Sequence, residues 1–142
     1  MIPNKIKKIL VPLDGSDNSF RGLDQGIFLA RQCGATLTGI FVMNRNPLPS
    51  DGRIGVLEKE ILQNAEKFLE KAKTRSAQHG IDFHKTIAFG EPGSVITHFA
   101  QSKNQSIIII GARGLSGFKE KFLGSVSNYV LHKSKTPVLI VK

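Results

Sequence analysis

Short apolar runs alternate along this chain with longer amphipathic stretches, and that alternation restricts the fold more than any other feature of the sequence. A strand buried on both faces reads as a continuous apolar run, whereas a helix lying on a sheet shows a single apolar stripe. The alternation therefore prescribes βαβ units around a parallel sheet. Lys8-Ile-Leu-Val-Pro12 reads as a first strand, closed by Pro12 and the turn Asp14-Gly15-Ser16. Ser16 or Asp17 then caps a helix with Leu23, Ile27 and Ala30 at helical spacing, which Gly34 stops. Thr36 to Val42, rich in β-branched and aromatic residues, is a second strand.

A loop from Asn44 to Gly55, with Pro47, Pro49 and Gly52, leads into a long helix whose apolar stripe is Leu57, Ile61, Ala65, Phe68 and Ala72, capped at its end by Gly80. Ile81 to Ala88 is a third strand. Glu91-Pro92-Gly93-Ser94 opens a helix with Val95, Ile96, Phe99 and Ala100 turned inward. Ser106 to Ile110 is a fourth strand, and its unbroken β-branched run predicts burial on both faces and a central position. Ser125 to about Lys133 forms the last helix, and Pro137-Val-Leu-Ile-Val141 a fifth strand whose leading proline suits a strand start or a sheet edge.

Five strands are too few to close a barrel with intervening helices. The expected fold is a single α/β domain over residues 1–142: an open, doubly wound, five-stranded parallel sheet in the order 3-2-1-4-5 with helices on both faces. Ligands of such sheets bind beyond the carboxyl ends of the strands, where the winding reverses. Asp14 follows the first strand and Gly111 follows the fourth, so both are expected at that crevice.

The most chemical part of the chain lies directly after the fourth strand: Gly111-Ala-Arg-Gly114, nine further residues, then Gly124-Ser-Val-Ser127. Glycines let backbone N–H groups approach an anion, and a helix start with hydroxyls adds unpaired donors and a positive dipole end. The spacing is neither that of a Walker A loop nor the Rossmann Gly-x-Gly-x2-Gly. Gly117, inside the nine-residue spacer, lets the loop bend, and Arg113, Lys119 and Lys121 are candidates to neutralise phosphate charge. No nucleophile, paired carboxylates or His–Asp base accompanies the loop, so no catalytic residue is assigned.

Composition adds bounds. The net charge of +9 is uneven: residues 1–8 carry +3 through Lys5, Lys7 and Lys8, and residues 113–142 carry +5. The excess is expected to bracket the phosphate loop. Aromatic residues are few, Tyr129 is the only tyrosine, and no recognition helix is visible, which disfavours nucleic acid and leaves a polyanion binder as the weakest reading. The single cysteine, Cys33, excludes an internal disulfide framework and fits a reducing cytoplasm. No apolar run approaches the ~18 residues needed to span a bilayer, so no membrane partner is expected. His79, His84, His98 and His132 fall on different elements and form no metal-ligand set.

The compound spacing Gly111-x2-Gly114-x9-Gly124-Ser125 occurs with Val11-Pro-Leu-Asp-Gly-Ser16, Gly90-Glu-Pro92 and Pro137-Val-Leu-Ile-Val141. Together these resemble the universal stress protein family over essentially the whole chain. The resemblance implies the branch that binds ATP or AMP, with Mg or Mn as a possible companion of ATP. It would set Pro12, Asp14 and the backbone of Val42 at the adenine and ribose end. Gly111, Gly114, Gly124 and the run Ser125-Val126-Ser127, with Arg113 beside them, would hold ribose and phosphates. It also implies a homodimer through Val138 to Val141. Ala112 departs from the serine frequent in the family, and Gln105-Ser106 replaces a common acidic residue. The function implied is a cytoplasmic stress-response or signalling module working through nucleotide occupancy and dimerisation. The alternative is a slow metal-dependent ATPase in which Asp14 helps to place the ion.

Overall fold

The computed structural model describes residues 2–45, 55–114 and 123–142. Pro47, Pro49 and Gly52 of the first long loop, and Gly117, Lys119 and Lys121 of the glycine spacer, lie outside the described residues. Strand and helix alternate as the hydrophobic pattern requires: β1 (Lys8–Pro12), α1 (Asp17–Cys33), β2 (Thr36–Asn44), α2 (Val56–Gln78), β3 (Phe83–Gly90), α3 (Pro92–Ser102), β4 (Ile107–Gly111), α4 (Ser125–Lys133) and β5 (Val138–Val141). The strands form one sheet in the order β3-β2-β1-β4-β5, all pairs parallel. β1 pairs with β2 from Lys8↔Thr36 to Pro12↔Ile40 and with β4 through Ile9↔Ile107.

Successive residues of a strand point to opposite faces, and both faces here are apolar. Ile9, Val11, Leu37 and Ile109 meet Leu23, Ile27 and Ala30 of α1 and Leu69 and Ala72 of α2. Leu10, Ile40, Ile108 and Ile110 meet Ile96 and Ala100 of α3 and Val130 of α4. The four isoleucines of β4 thus divide between the two cores, as their unbroken run predicts. β5 takes the edge, with Pro137 immediately before it.

Two expectations need correction. The stripe of α2 does not continue to its start: Leu57 is 69% and Ile61 38% exposed, and burial falls instead on Ala65, Leu69, Ala72 and Ser76. The reason is length, since a helix of 23 residues spans ~34 Å whereas the eight-residue β3 beneath it spans ~26 Å. The first turns overrun the sheet. The second correction concerns charge. Lys5 and Lys7 precede β1, Lys8 opens it, and Lys133 and Lys135 precede β5, so a parallel sheet puts all five at its amino edge. Close in sequence to the glycine loop, Lys133 and Lys135 lie a strand's length away from it.

Glu91 caps α3. Its carboxylate accepts the N–H of Gly93 at 3.1 Å and of Ser94 at 2.7 Å. The Ser94 N–H chiefly, helped by that of Gly93, holds the Glu91 carboxyl below the ordinary carboxylate range. A folded-state value below the unfolded one makes this stabilisation complete above the ordinary range and lost as pH falls through the folded value. Glu91→Gln should therefore lower stability at neutral pH by about 0.5 kcal/mol. The gap between variant and wild type should shrink on acidification, as urea unfolding at a series of pH values will measure.

Candidate functional site

Beyond the carboxyl ends of the strands, between β1 and β4, a cavity of about 370 Å³ opens. Its position follows from winding: α1 and α2 cover one face and α3 and α4 the other, so the connections leaving β1 and β4 part in opposite directions. The structure brings Pro12, Asp14, Val42, Gly111, Arg113, Gly114, Gly124, Ser125, Val126 and Ser127 together around this single cavity.

One end is apolar. Ile40, Ile96, Ile110 and Pro92 join Pro12 and Val42 in its walls. β1 stops at Pro12, opposite Ile40, while β2 runs four residues further to Asn44. The Ile40 carbonyl accepts Leu13 N–H at 2.9 Å and so points toward β1. By the two-residue alternation, the N–H and C=O of Val42 point the same way, past the end of β1 and into the crevice. A flat ring seated among these side chains would meet a backbone donor and acceptor at its edge.

The other end is a clasp of two backbone arms, residues 111–114 and 124–127. The Ala112 carbonyl accepts both Gly124 N–H at 2.7 Å and the Ser127 hydroxyl at 2.8 Å. Ser127, buried, also reaches the Gly124 carbonyl at 3.0 Å. Its only hydroxyl proton is therefore engaged in joining the arms, and its remaining donor is the backbone N–H. Gly124 is the N-cap of α4 and has no side chain to satisfy the first turn, so the N–H groups of Ser125, Val126 and Ser127 lack intrahelical acceptors beside the cavity. Ser16 of α1 and Glu91 of α3, by contrast, accept from their own helices. A Cβ placed on Gly124 would meet nothing closer than 3.5 Å, so the fold itself does not require glycine there.

Asp14 sits where the two ends meet. Its Oδ1 accepts Ser16 N–H at 2.9 Å, which shapes the turn into α1, and a Cβ placed on Gly114 would lie 2.5 Å from its Oδ2. Among the described lining residues it is the only carboxylate, and none is His, Cys or Lys. Among the described residues no cluster of His, Cys, Asp and Glu is arranged to hold a metal ion.

Sequence reasoning missed Asn18 and Ser19. The Asn18 Oδ1 accepts Arg113 N–H at 2.6 Å, and its Nδ2 donates to the Val141 carbonyl at 3.3 Å. One side chain thus ties the first turn of α1 to the glycine arm and to the last residue of β5. Ser19 lines the cavity and its hydroxyl meets Asp14 N–H at 3.4 Å. An asparagine two residues after Asp-Gly-Ser carries no periodic or spacing signal, and its partners lie 95 and 123 residues away. Asn18→Ala should cost about 1 kcal/mol and speed amide exchange at Arg113. Asn18→Asp, which keeps the acceptor but not the donor, should leave that exchange slow.

The chain is an open doubly wound α/β domain with a glycine clasp and an uncapped helix start at its switch point, an arrangement whose free backbone donors can accept an anion. The chain belongs to the universal stress protein family, whose family model matches residues 5–142. It is 36% identical, over an alignment 145 positions long, to the universal stress protein YxiE of Bacillus subtilis, a match covering 95% of this chain and 98% of that one. The solved structure of MJ0577 from Methanocaldococcus jannaschii superposes with a TM-score of 0.85 at 28% identity, covering 97% of this chain and 96% of the other. A universal stress protein solved in complex with cAMP superposes at 0.78 with 29% identity, covering 96% and 97%.

Proposed function

We propose that this chain binds an adenine nucleotide, ATP or AMP, at the cavity between β1 and β4 and serves as a nucleotide-responsive module in a stress or signalling response. One observation carries the reading: an apolar slot edged by the Val42 backbone continues into a glycine clasp and the uncapped start of α4. Base and phosphate need those two environments side by side. The cAMP complex of a family relative supports adenine as the base. Pro12, Asp14 and Val42 take the base and ribose, and Gly111, Arg113, Gly114 and Gly124 to Ser127 take the phosphates. Mg or Mn would arrive with ATP, its charge met by phosphate oxygens and Asp14. With a single carboxylate and no general base among the described lining residues, holding the nucleotide is favoured over cleaving it.

β5 supports a homodimer: it is an edge strand with unpaired backbone groups on one side, and Leu139 is 41% exposed on it. No helix among the described residues is long and apolar enough to cross a membrane, and the single cysteine fits a cytoplasmic setting. Mass spectrometry of nucleotide released from the purified protein will show which ligand it carries. Titration calorimetry with ATP, ADP, AMP and cAMP that finds no binding at millimolar concentration would refute the reading, and a monomer by sedimentation at micromolar concentration would refute the dimer.

A further inference from the structure

The amino edge of the sheet, opposite the cavity, gathers a dense field of positive charge. Lys5, Lys7 and Lys8 lead into β1, Arg31 is in the last turn of α1, Lys103 is the C-cap of α3, and Lys133 and Lys135 flank the turn between α4 and β5. All seven side chains are exposed. They converge in space: Lys8 Nζ lies 3.5 Å from the Lys103 carbonyl, Lys5 Nζ reaches the α1 C-cap at Gly34, and Ser106 binds the backbone N–H groups of Lys7 and Lys8. Asp82, before β3, is the acidic residue the described segments place on this edge.

Part of this charge has a structural cause. The four helices end at this edge, and each C-terminus carries roughly half a negative charge, about −2 together. Against seven cations and Asp82 that leaves a surplus of about +4. Helix ends do not account for it.

We propose that this face docks on an anionic lipid bilayer. Six of the seven cations are lysines, which act as point charges through a summed field, whereas phosphate recognition on nucleic acid favours the forked guanidinium and backbone donors. Helix C-termini present carbonyls here and no N–H groups. The cations come from both helical layers and from the strand ends, so they spread across the whole amino end of the three-layer domain and do not line up along one helix or groove. Ile2, 87% exposed, precedes Lys5 and Lys7 in the chain and is an apolar side chain available to enter the headgroup layer. A bilayer-spanning run is not needed for such contact, so its absence from the sequence does not bear on this face.

The test is cosedimentation of the full chain with vesicles of phosphatidylcholine, with and without phosphatidylserine. Binding should require phosphatidylserine and weaken as salt rises. Each lysine contributes roughly fivefold, so the variant Lys5→Gln, Lys7→Gln, Lys8→Gln should bind about 100-fold more weakly. Removing the same charge elsewhere, with Lys59→Gln and Lys67→Gln on α2 and Lys142→Gln after β5, should change binding only a few-fold, because those exposed lysines lie away from this edge. Ile2→Ser should lower binding about tenfold. These substitutions are at exposed positions, and unchanged melting temperatures will confirm that the variants fold. Equal sedimentation with both lipids, or equal losses in the two triple variants, would overturn the proposal. So would tight duplex DNA binding with no vesicle binding.

Discussion

Gly114→Ala is expected to leave the melting temperature within a few degrees of wild type and to weaken adenine nucleotide binding by about tenfold to a hundredfold. The new Cβ would stand 2.5 Å from Asp14 Oδ2, and the obstacle is the tip of a side chain, so Asp14 can swing away at the cost of loosening its hydrogen bond to Ser16 N–H, about 1 kcal/mol. Swinging away takes the only carboxylate among the described lining residues out of its position between the base slot and the glycine clasp. Calorimetric titration with AMP and ATP measures the loss. A double-mutant cycle sharpens it: Asp14→Ala should weaken binding strongly in the wild type and little in the Gly114→Ala background, since the carboxylate is already displaced there. Fully additive losses would show that the two residues act separately.

Gly111→Ala should behave in the opposite way. Its Cβ would lie 2.6 Å from Asn18 Oδ1 and 2.7 Å from the Asn18 backbone oxygen, and a backbone atom in the first turn of α1 cannot rotate aside. Gly22, on the same helix, marks the same close approach, since a Cβ there would lie 3.3 Å from Gly111 N. The variant must push α1 off β4, an overpacking that should cost about 1–3 kcal/mol and lower the melting temperature by roughly 5–10 °C. Thermal denaturation checks this. Asn18→Gly destabilises by itself, since it removes two hydrogen bonds and puts a glycine in α1, so the informative quantity is the cost of Gly111→Ala in each background: it should be smaller with Asn18→Gly, where the side-chain contact is gone, yet not zero, because the backbone contact stays. No cost in that background would mean that the side chain alone is the obstacle.

Gly111 and Gly114 thus belong to one motif and do different work. Sequence spacing marks both as partners of an anion. The structure gives Gly111 a packing duty toward α1 and puts Gly114 against Asp14, because a glycine's role depends on which atoms stand where its Cβ would be. Ser127 shows the same division: its place at a helix start is legible from Gly124-Ser-Val-Ser, yet the engagement of its hydroxyl with Ala112 and Gly124 depends on how the two arms close. Asn18 is the extreme case, a residue without local pattern that fastens three distant segments.

The full set of ten candidate residues was implied by the family resemblance, whereas element order, helix and strand type, the doubly wound sheet and the convergence of Asp14 and Gly111 on one crevice were legible in the chain itself. Each rests on short-range physics: period two or near four in the apolar residues, Ser16, Glu91 and Gly34 at helix ends, and the fixed handedness that turns βαβ units into a doubly wound sheet. Three things were decided only by the tertiary structure. One is the exposure of Leu57 and Ile61, which depends on where β3 stops beneath α2. Another is the set of contacts that separates Gly111 from Gly114 and recruits Asn18. The last is the sorting of charge, with Arg113 at the carboxyl edge and Lys5, Lys7, Lys8, Lys133 and Lys135 at the amino edge. A sequence records neighbours along the chain, and a parallel sheet sends every strand start to one end and every strand finish to the other.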